Sequence, residues 1–336
     1  MWKKRLAAVL SAGAVALSLC SCSLKTQDMI EEKRSVPVPP KMVFLGDSIA
    51  AGYGLDGYDK DDLYQCESYA NILGKDYTEL LADECGHTMI NDSVSGDTSQ
   101  DLLDLLDSGA IDEDLKGSDA VVVSIGGNDV LNIIFSAAES LGWSEDTQDF
   151  DFGRVKIKEA ISKLTSMSDQ IDKALDGYEV NLAKICDELH ERTDGEIYVQ
   201  TLYNPVEYFK DWKMLTEYAD GKIDRFNEIV KDGADADGVH HYTVIDVGNQ
   251  FEGRNSQLTN IAHYDIHPNA DGHKIIAEAV DKELRKGEYS YIVTVPGEEH
   301  YTDEAIRLFI TLGIVGVLLI GGVITVIIRS RLKKDA

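Results

Sequence analysis

A serine and a histidine, far apart in the chain, have the surroundings that covalent catalysis needs. Ser48 closes Gly46-Asp47-Ser48, directly after the apolar run Val43-Phe44-Leu45 and ahead of the small residues Ile49-Ala50-Ala51-Gly52. A serine hydroxyl is a weak nucleophile; it needs a general base to take its proton and donors to hold the oxyanion that forms. Taken alone, Gly-Asp-Ser is an ordinary turn. A base stands in Tyr264-Asp265-Ile266-His267-Pro268-Asn269. Pro268 fixes the backbone directly after His267, and Asn269 can cap the helix behind it, so the imidazole is expected on a rigid loop. Asp47 reads as structural, ordering the turn. His263 and His273 read as surface residues. His240 and His241 are neighbours on a predicted strand, so they point to opposite faces and make a poor metal pair. The acids of 56–62 and 232–238 miss the Asp-x-Asp-x-Asp-Gly calcium spacing. No metal and no cofactor is expected.

The elements around these residues predict a parallel sheet. An apolar run that stops in Gly-Asp-Ser is how a buried strand looks where it leaves its sheet, and open α/β sheets bind ligands at that edge. Residues 67–84 carry Tyr69, Ala70, Leu73, Tyr77, Leu80 and Leu81 at helical spacing. A short strand, Thr88-Met89-Ile90-Asn91, leads into Ser95-Gly96-Asp97-Thr98, and Thr98 or Ser99 can cap the next helix. The β-branched run 119–125 ends in Gly126-Gly127-Asn128-Asp129. Further helices are predicted over 178–192 and 213–231, and strands over 196–202 and 241–247. Residues 131–176 read as an inserted, partly helical cap. Alternation of strand and helix predicts a parallel sheet covered on both faces.

The chain has 336 residues, 43% of them hydrophobic, with a formal net charge of −28. That charge argues against nucleic acid as a partner, because phosphate binding needs a basic face. Residues 1–22 read as an export signal: Lys3-Lys4-Arg5, then an apolar stretch from Leu6 to Leu19. Its end, Leu19-Cys20-Ser21-Cys22, resembles a lipoprotein signal, with Cys22 as the lipidated residue; an ordinary cleaved signal is the alternative. Cys66, Cys85 and Cys186 remain, neither a disulfide framework nor a zinc pattern. Residues 23–40 and 288–304 read as linkers around a domain at 41–287. Leu308 to Ile328 is free of charge over 21 residues, long enough to span a bilayer, and lies within a predicted transmembrane helix at 305–328. The basic tail 329–336 with Arg329, Arg331, Lys333 and Lys334 should stay cytoplasmic, leaving 41–287 outside a bacterial cell membrane.

Four blocks, Gly46-Asp47-Ser48, Ser95-Gly96-Asp97-Thr98, Gly126-Gly127-Asn128-Asp129 and His267-Pro268-Asn269, together resemble the SGNH hydrolase superfamily, the GDSL esterases and lipases. The resemblance is nearest to the branch with thioesterase I and lysophospholipase L1. The Gly-x-Ser-x-Gly elbow of α/β-hydrolases is absent, since position 50 is Ala50. The resemblance implies a flavodoxin-like three-layer α/β/α sandwich with a parallel sheet. It implies Ser48 as nucleophile, His267 as base, and an oxyanion hole made by the N–H groups of Ser48 and Gly96 and the side-chain amide of Asn128. The family pattern places an acid three residues before the base; here that residue is Tyr264, and Asp265 lies two before. Either Asp265 or a backbone carbonyl is left to orient His267. The expected activity is hydrolysis of an acyl ester, of a lysophospholipid or another lipid, by a membrane-tethered enzyme. Removal of O-acetyl groups from cell-wall or environmental glycans is the alternative, and a non-catalytic binding module on the same fold is the alternative of another class.

Overall fold

The strand that ends in the Ser48 turn is apolar on both sides. Met42 and Phe44 pack into one hydrophobic cluster and Val43 and Leu45 into another, because successive side chains point to opposite faces. Ala120 and Val122 divide from Val121 and Val123 in the same way. Strands buried on both faces belong inside a parallel sheet between helices. In this computed structural model, which describes residues 24–130, 133, 162, 165–205, 213–235, 241–263 and 265–332, that is the arrangement. The strands are β1 (Lys25–Val36), β2 (Lys41–Gly46), β3 (Thr88–Asn91), β4 (Ala120–Ser124), β5 (Glu196–Gln200), β6 (Thr243–Ile245) and β7 (Tyr289–Tyr301).

Five of them form one sheet in the order β3-β2-β4-β5-β6, and every pair in it is parallel. Counted within the sheet this is the order second, first, third, fourth, fifth, the flavodoxin-like order. Helices Ser99–Ser108, Ser168–Arg192 and Lys213–Asp235 cover one face through Leu106, Ile185 and Val230. Helices Tyr69–Leu80 and Ala270–Leu284 cover the other through Tyr77, Ile276 and Val280. Phe44, 0% exposed at the centre of the second cluster, should cost ~3–5 kcal/mol if cut to alanine. The chain reverses its strand order between β2 and β4, and ligands bind such sheets outside the carboxyl ends at that reversal. Gly46 lets the two strands' ends close together there: a Cβ on it would stand 2.2 Å from Ser124 O.

The chain divides into two compact units, 35–291, and the ends 1–34 with 292–336. In the second unit the structure departs from the sequence reading. The stretches read as linkers pair as a two-stranded ribbon, β1 with β7, joined at its end by Thr302 N–H donating to Leu24 O at 3.0 Å. β1 was hidden because nearly all of it is exposed, so no buried face imposes an alternating pattern on its sequence. β7 does alternate, through Tyr289, Tyr291, Val293 and Val295, ahead of a polar end. The first unit also reaches beyond 41–287, because Val36 and Val38 are buried in its core. A helix of 30 residues follows β7 from Asp303 to Leu332; its most apolar 18-residue stretch has a mean hydropathy of 2.7, and it is long and apolar enough to cross a membrane. Residues 1–22, Cys22 among them, and most of 131–176 lie outside the described residues. The end of that supposed cap is the start of helix Ser168–Arg192, ten residues earlier than predicted.

Candidate active site

Ser48 opens a four-residue helix, Ser48–Ala51, as β2 ends. Asp47 caps it: its Oδ1 accepts the Ile49 N–H at 3.0 Å, and its own N–H donates to Ser124 O at 3.1 Å. The turn-ordering expected of Asp47 is therefore a helix cap plus a tie to β4. Asp47 is buried, and burial pushes its carboxyl up to about 7 against the opposing pull of the Ile49 N–H and nearby His267.

His267 comes from a loop that is fastened on both sides. Asn260 N–H donates to His267 O at 2.9 Å and Asn269 N–H to Leu258 O at 3.0 Å, with Thr259 and Pro268 paired as an antiparallel bridge between them. Asn269 caps helix Ala270–Leu284, its side-chain oxygen accepting the N–H groups of Asp271 and Gly272. Its Nδ2 also donates to Gln257 O at 2.8 Å. The cap was legible in the sequence; the second bond, which ties helix start to the 255–260 segment, was not. Gly272 makes the approach possible, since a Cβ there would lie 2.1 Å from Leu258 O.

The side chains of Ser48, His267 and Asp265 meet. His267 Nε2 lies 2.9 Å from Ser48 Oγ and Nδ1 lies 2.5 Å from Asp265 Oδ1. An ionised carboxylate only accepts, so Nδ1 carries the hydrogen and Nε2 is left to accept from the serine hydroxyl. Asp265 reaches the ring although it is only two residues away. Its Oδ1 also accepts the His267 backbone N–H at 3.0 Å, an Asx turn that folds the carboxylate back beside the residue two positions on. Of the two orienting groups the sequence left open, the geometry brings Asp265. Burial would raise the Asp265 pKa, but the hydrogen bonds and charge of His267 outweigh it and hold the carboxyl below its ordinary value. Tyr264 lies outside the described residues.

Asn128 follows β4, the strand paired with β2. One hydrogen of its Nδ2 is donated to Asp97 O at 2.9 Å, which leaves the other for a ligand. Gly96 sits at φ +97°, and among the described residues its N–H makes no hydrogen bond. Asp129 had no role in the sequence reading. Its carboxylate accepts Ser99 N–H at 2.9 Å and Ser99 Oγ–H at 2.5 Å, and Asn181 Nδ2 donates to Ser99 Oγ at 3.0 Å. The loops carrying Gly96 and Asn128 are thus joined twice.

His273 is not a surface residue. It is 0% exposed, its Nδ1 accepts Tyr69 N–H at 3.2 Å, and burial takes its pKa down to about 3. Its spacing to Ile276, Ala277 and Val280 places it on the buried face of its helix, a periodicity that the reading of position 273 overlooked. His263 and His241 are exposed, and His241 precedes β6 instead of lying in it. Cys66 and Cys186 are buried and Cys85 exposed, all three unpaired.

A serine hydroxyl in hydrogen-bond reach of an imidazole nitrogen, itself held by a carboxylate, is equipped for acyl transfer through a tetrahedral intermediate. A family model described as the GDSL-like lipase/acylhydrolase family matches residues 44–275. The uncharacterized protein YpmR of Bacillus subtilis (strain 168) is 23% identical over 290 residues, 84% of this chain and 97% of YpmR. Among solved structures, an extracellular lipase from Streptomyces rimosus is 19% identical, with 72% of this chain and 98% of that one covered and a TM-score of 0.50. The acetylxylan esterase Axe2 from Geobacillus stearothermophilus is 21% identical, with 73% and 94% covered and a TM-score of 0.45. The lipase supports the fold alone; the family match, over most of the chain and across all four blocks, decides the rest. The chain belongs to the GDSL-like lipase/acylhydrolase family and is a serine carboxylic ester hydrolase.

Proposed function

We propose that this enzyme works on the outer side of a bacterial cell membrane and hydrolyses acyl esters of lipids, lysophospholipids among them, through an acyl-enzyme on Ser48. The observation that carries the catalytic part is the continuous chain of hydrogen bonds from Ser48 Oγ through His267 to Asp265. Ser48 Oγ attacks the acyl carbonyl carbon as His267 Nε2 takes its proton, and Asp265 holds the imidazolium. The oxyanion is received by the N–H groups of Ser48 and Gly96 and the free hydrogen of Asn128 Nδ2. The intermediate collapses, Nε2 gives its proton to the departing alcohol, and water repeats the sequence to release the acid. No metal or cofactor has a part in these steps.

The membrane part rests on helix Asp303–Leu332, with Arg329 and Arg331 in its last turn. Basic residues at the end of a span favour the cytoplasmic side, which supports an esterase domain on the outside. A lipid on Cys22 would add a second anchor, and a lipid-bearing surface makes acyl lipids the nearest substrates. The thioesterase I/lysophospholipase L1 branch suits this reading. The test is a substrate panel run with the full chain in detergent: nitrophenyl esters of rising chain length, lysophospholipids, and acetylated sugars. Preference for lysophospholipid and the longer esters is expected, with Ser48→Ala inactive and unlabelled by a fluorophosphonate. Activity confined to acetylated sugars would replace the lipid reading with the glycan O-acetyl one. Wild-type turnover by Ser48→Ala would remove Ser48 from the mechanism.

A further inference from the structure

The loop that carries Gly96 is tied down on either side of the residue but not at it. Before it, Val94 N–H donates to Gly46 O at 2.9 Å. After it, Asp97 O accepts from Asn128 Nδ2, and Asp97 N–H closes back on Val94 O at 3.2 Å. Between these ties the Ser95-Gly96 peptide makes no backbone hydrogen bond among the described residues, and the space where a Gly96 Cβ would stand is open to 4 Å. Among the described residues, the polar tie at this point is a side-chain bond: Ser95 Oγ lies 2.6 Å from Tyr58 Oη.

Tyr58 is itself placed by the other half of the site. Its ring meets Tyr53 edge-on at 5.3 Å between centroids, and Tyr53 lies against the His267 ring at 4.6 Å. The segment 53–58 therefore spans from the base to the loop that bears the Gly96 N–H. We propose that Tyr58 is a positioning residue for the oxyanion hole, acting through Ser95 to aim the Gly96 N–H at the developing oxyanion. This rests on the assignment of Gly96 and Asn128 as oxyanion donors. An N–H that is used only when the oxyanion forms changes turnover without changing ground-state binding. A small misplacement of such a donor is costly, although less so than deleting one, which removes ~10²–10³ of kcat.

The experiment measures kcat and KM of the full chain on a nitrophenyl ester for Tyr58→Phe, Ser95→Ala, the double variant and Asn128→Ala. Tyr58→Phe removes one oxygen and keeps the ring against Tyr53. Each single variant should lower kcat roughly tenfold with KM within twofold. The double variant should be no worse than either single one, because both break the same bond. Melting temperatures within about 2 °C of the parent separate positioning from loss of fold. Turnover of Tyr58→Phe at the parent's level, or additive losses in the double variant, overturns the proposal. Asn128→Ala serves as the control for the premise. If it loses ~10²-fold in kcat while Tyr58→Phe loses nothing, the hole stands and the Tyr58 role falls. If Asn128→Ala keeps full kcat, the oxyanion assignment falls first and the Tyr58 role with it.

Discussion

Replacing Asp265 by asparagine should injure this enzyme less than replacing it by alanine, and the Asx turn is the reason. In many triads the amide that replaces the carboxylate turns its NH₂ toward the histidine and fixes the wrong tautomer, at a cost of ~10⁴ in kcat. Here the oxygen that faces Nδ1 at 2.5 Å also accepts the His267 backbone N–H at 3.0 Å. An NH₂ group in that place would meet two donors, whereas an amide oxygen satisfies both. Among the described residues, the opposite oxygen receives only a long bond from Asn260 Nδ2, at 3.5 Å. The asparagine should therefore keep its oxygen on His267 and preserve the tautomer, losing only the charge. Two unit charges 4 Å apart attract by ~4 kcal/mol at an effective dielectric constant of 20. The side chains are 32% and 19% exposed, which screens part of this, so ~3 kcal/mol is lost from the transition state, or roughly 10² in rate. Alanine forfeits the acceptor as well and should approach ~10⁴. The assay is the single-turnover rate of acylation by a nitrophenyl ester, which isolates the step in which His267 becomes charged. Asp265→Asn as slow as Asp265→Ala would refute the orientation argument. Asp265→Asn within threefold of the parent would mean that the charge is not used at all.

Three further outcomes follow from the geometry. The Asp47 carboxyl is pushed up to about 7 by burial, against ~3.9 in an unfolded chain, so the folded state holds the proton more tightly. Its contribution to stability is complete below pH ~4 and is lost as pH rises through ~7, by up to about 4 kcal/mol. Asp47→Asn keeps an oxygen for Ile49 and should flatten the fall in melting temperature between pH 5 and 8; an unchanged slope would clear Asp47 of causing it. Gly272→Ala would push a methyl group into Leu258 O and should cost about 1–3 kcal/mol in denaturant unfolding. Because the same contact holds the His267 loop, kcat should drop too, and a stable, fully active Gly272→Ala would show that the loop has room to spare. Protease added to intact cells should digest the 35–291 unit and spare a tag after Ala336; a protected esterase domain would invert the orientation.

The sheet and the positions of Ser48 and His267 were legible because buried parallel strands leave uninterrupted apolar runs that end in small residues, as 42–46 and 120–126 do. The helix cap was narrowed to Thr98 or Ser99; the structure gives Thr98 and adds the reciprocal Asp101 bond. Contacts between distant segments left no such trace. Nothing near Asp129 announces that Ser99 and Asn181 will meet it, and Tyr58 stands in an acidic stretch that reads as solvated loop. The Asp265 spacing was visible but not its consequence, since a departure from the Asp-x-x-His pattern only becomes readable once the Asx turn is seen. The ribbon was hidden because β1, almost wholly exposed, needs no alternation, and β7 alternates with no visible partner strand. His273 was misread for the opposite reason: a polar residue type was allowed to outweigh its place on an apolar helix face.

The paired ties among Asp129, Ser99 and Asn181 have a consequence for how the family's chemistry could be redirected. Asp129 stands at the start of the long segment that leads to the helix Ser168–Arg192, and Asn181 stands beyond its end. Both are fastened to Ser99. The loop of Gly96, the loop that carries Asn128 and the helix Ser168–Arg192 are thus held to one another through a single serine. A designer who varies the surrounding sequence to screen for new ester preferences should keep Asp129, Ser99 and Asn181, so that the loops of Gly96 and Asn128 stay in register. Those three residues are the constant part of any such redesign.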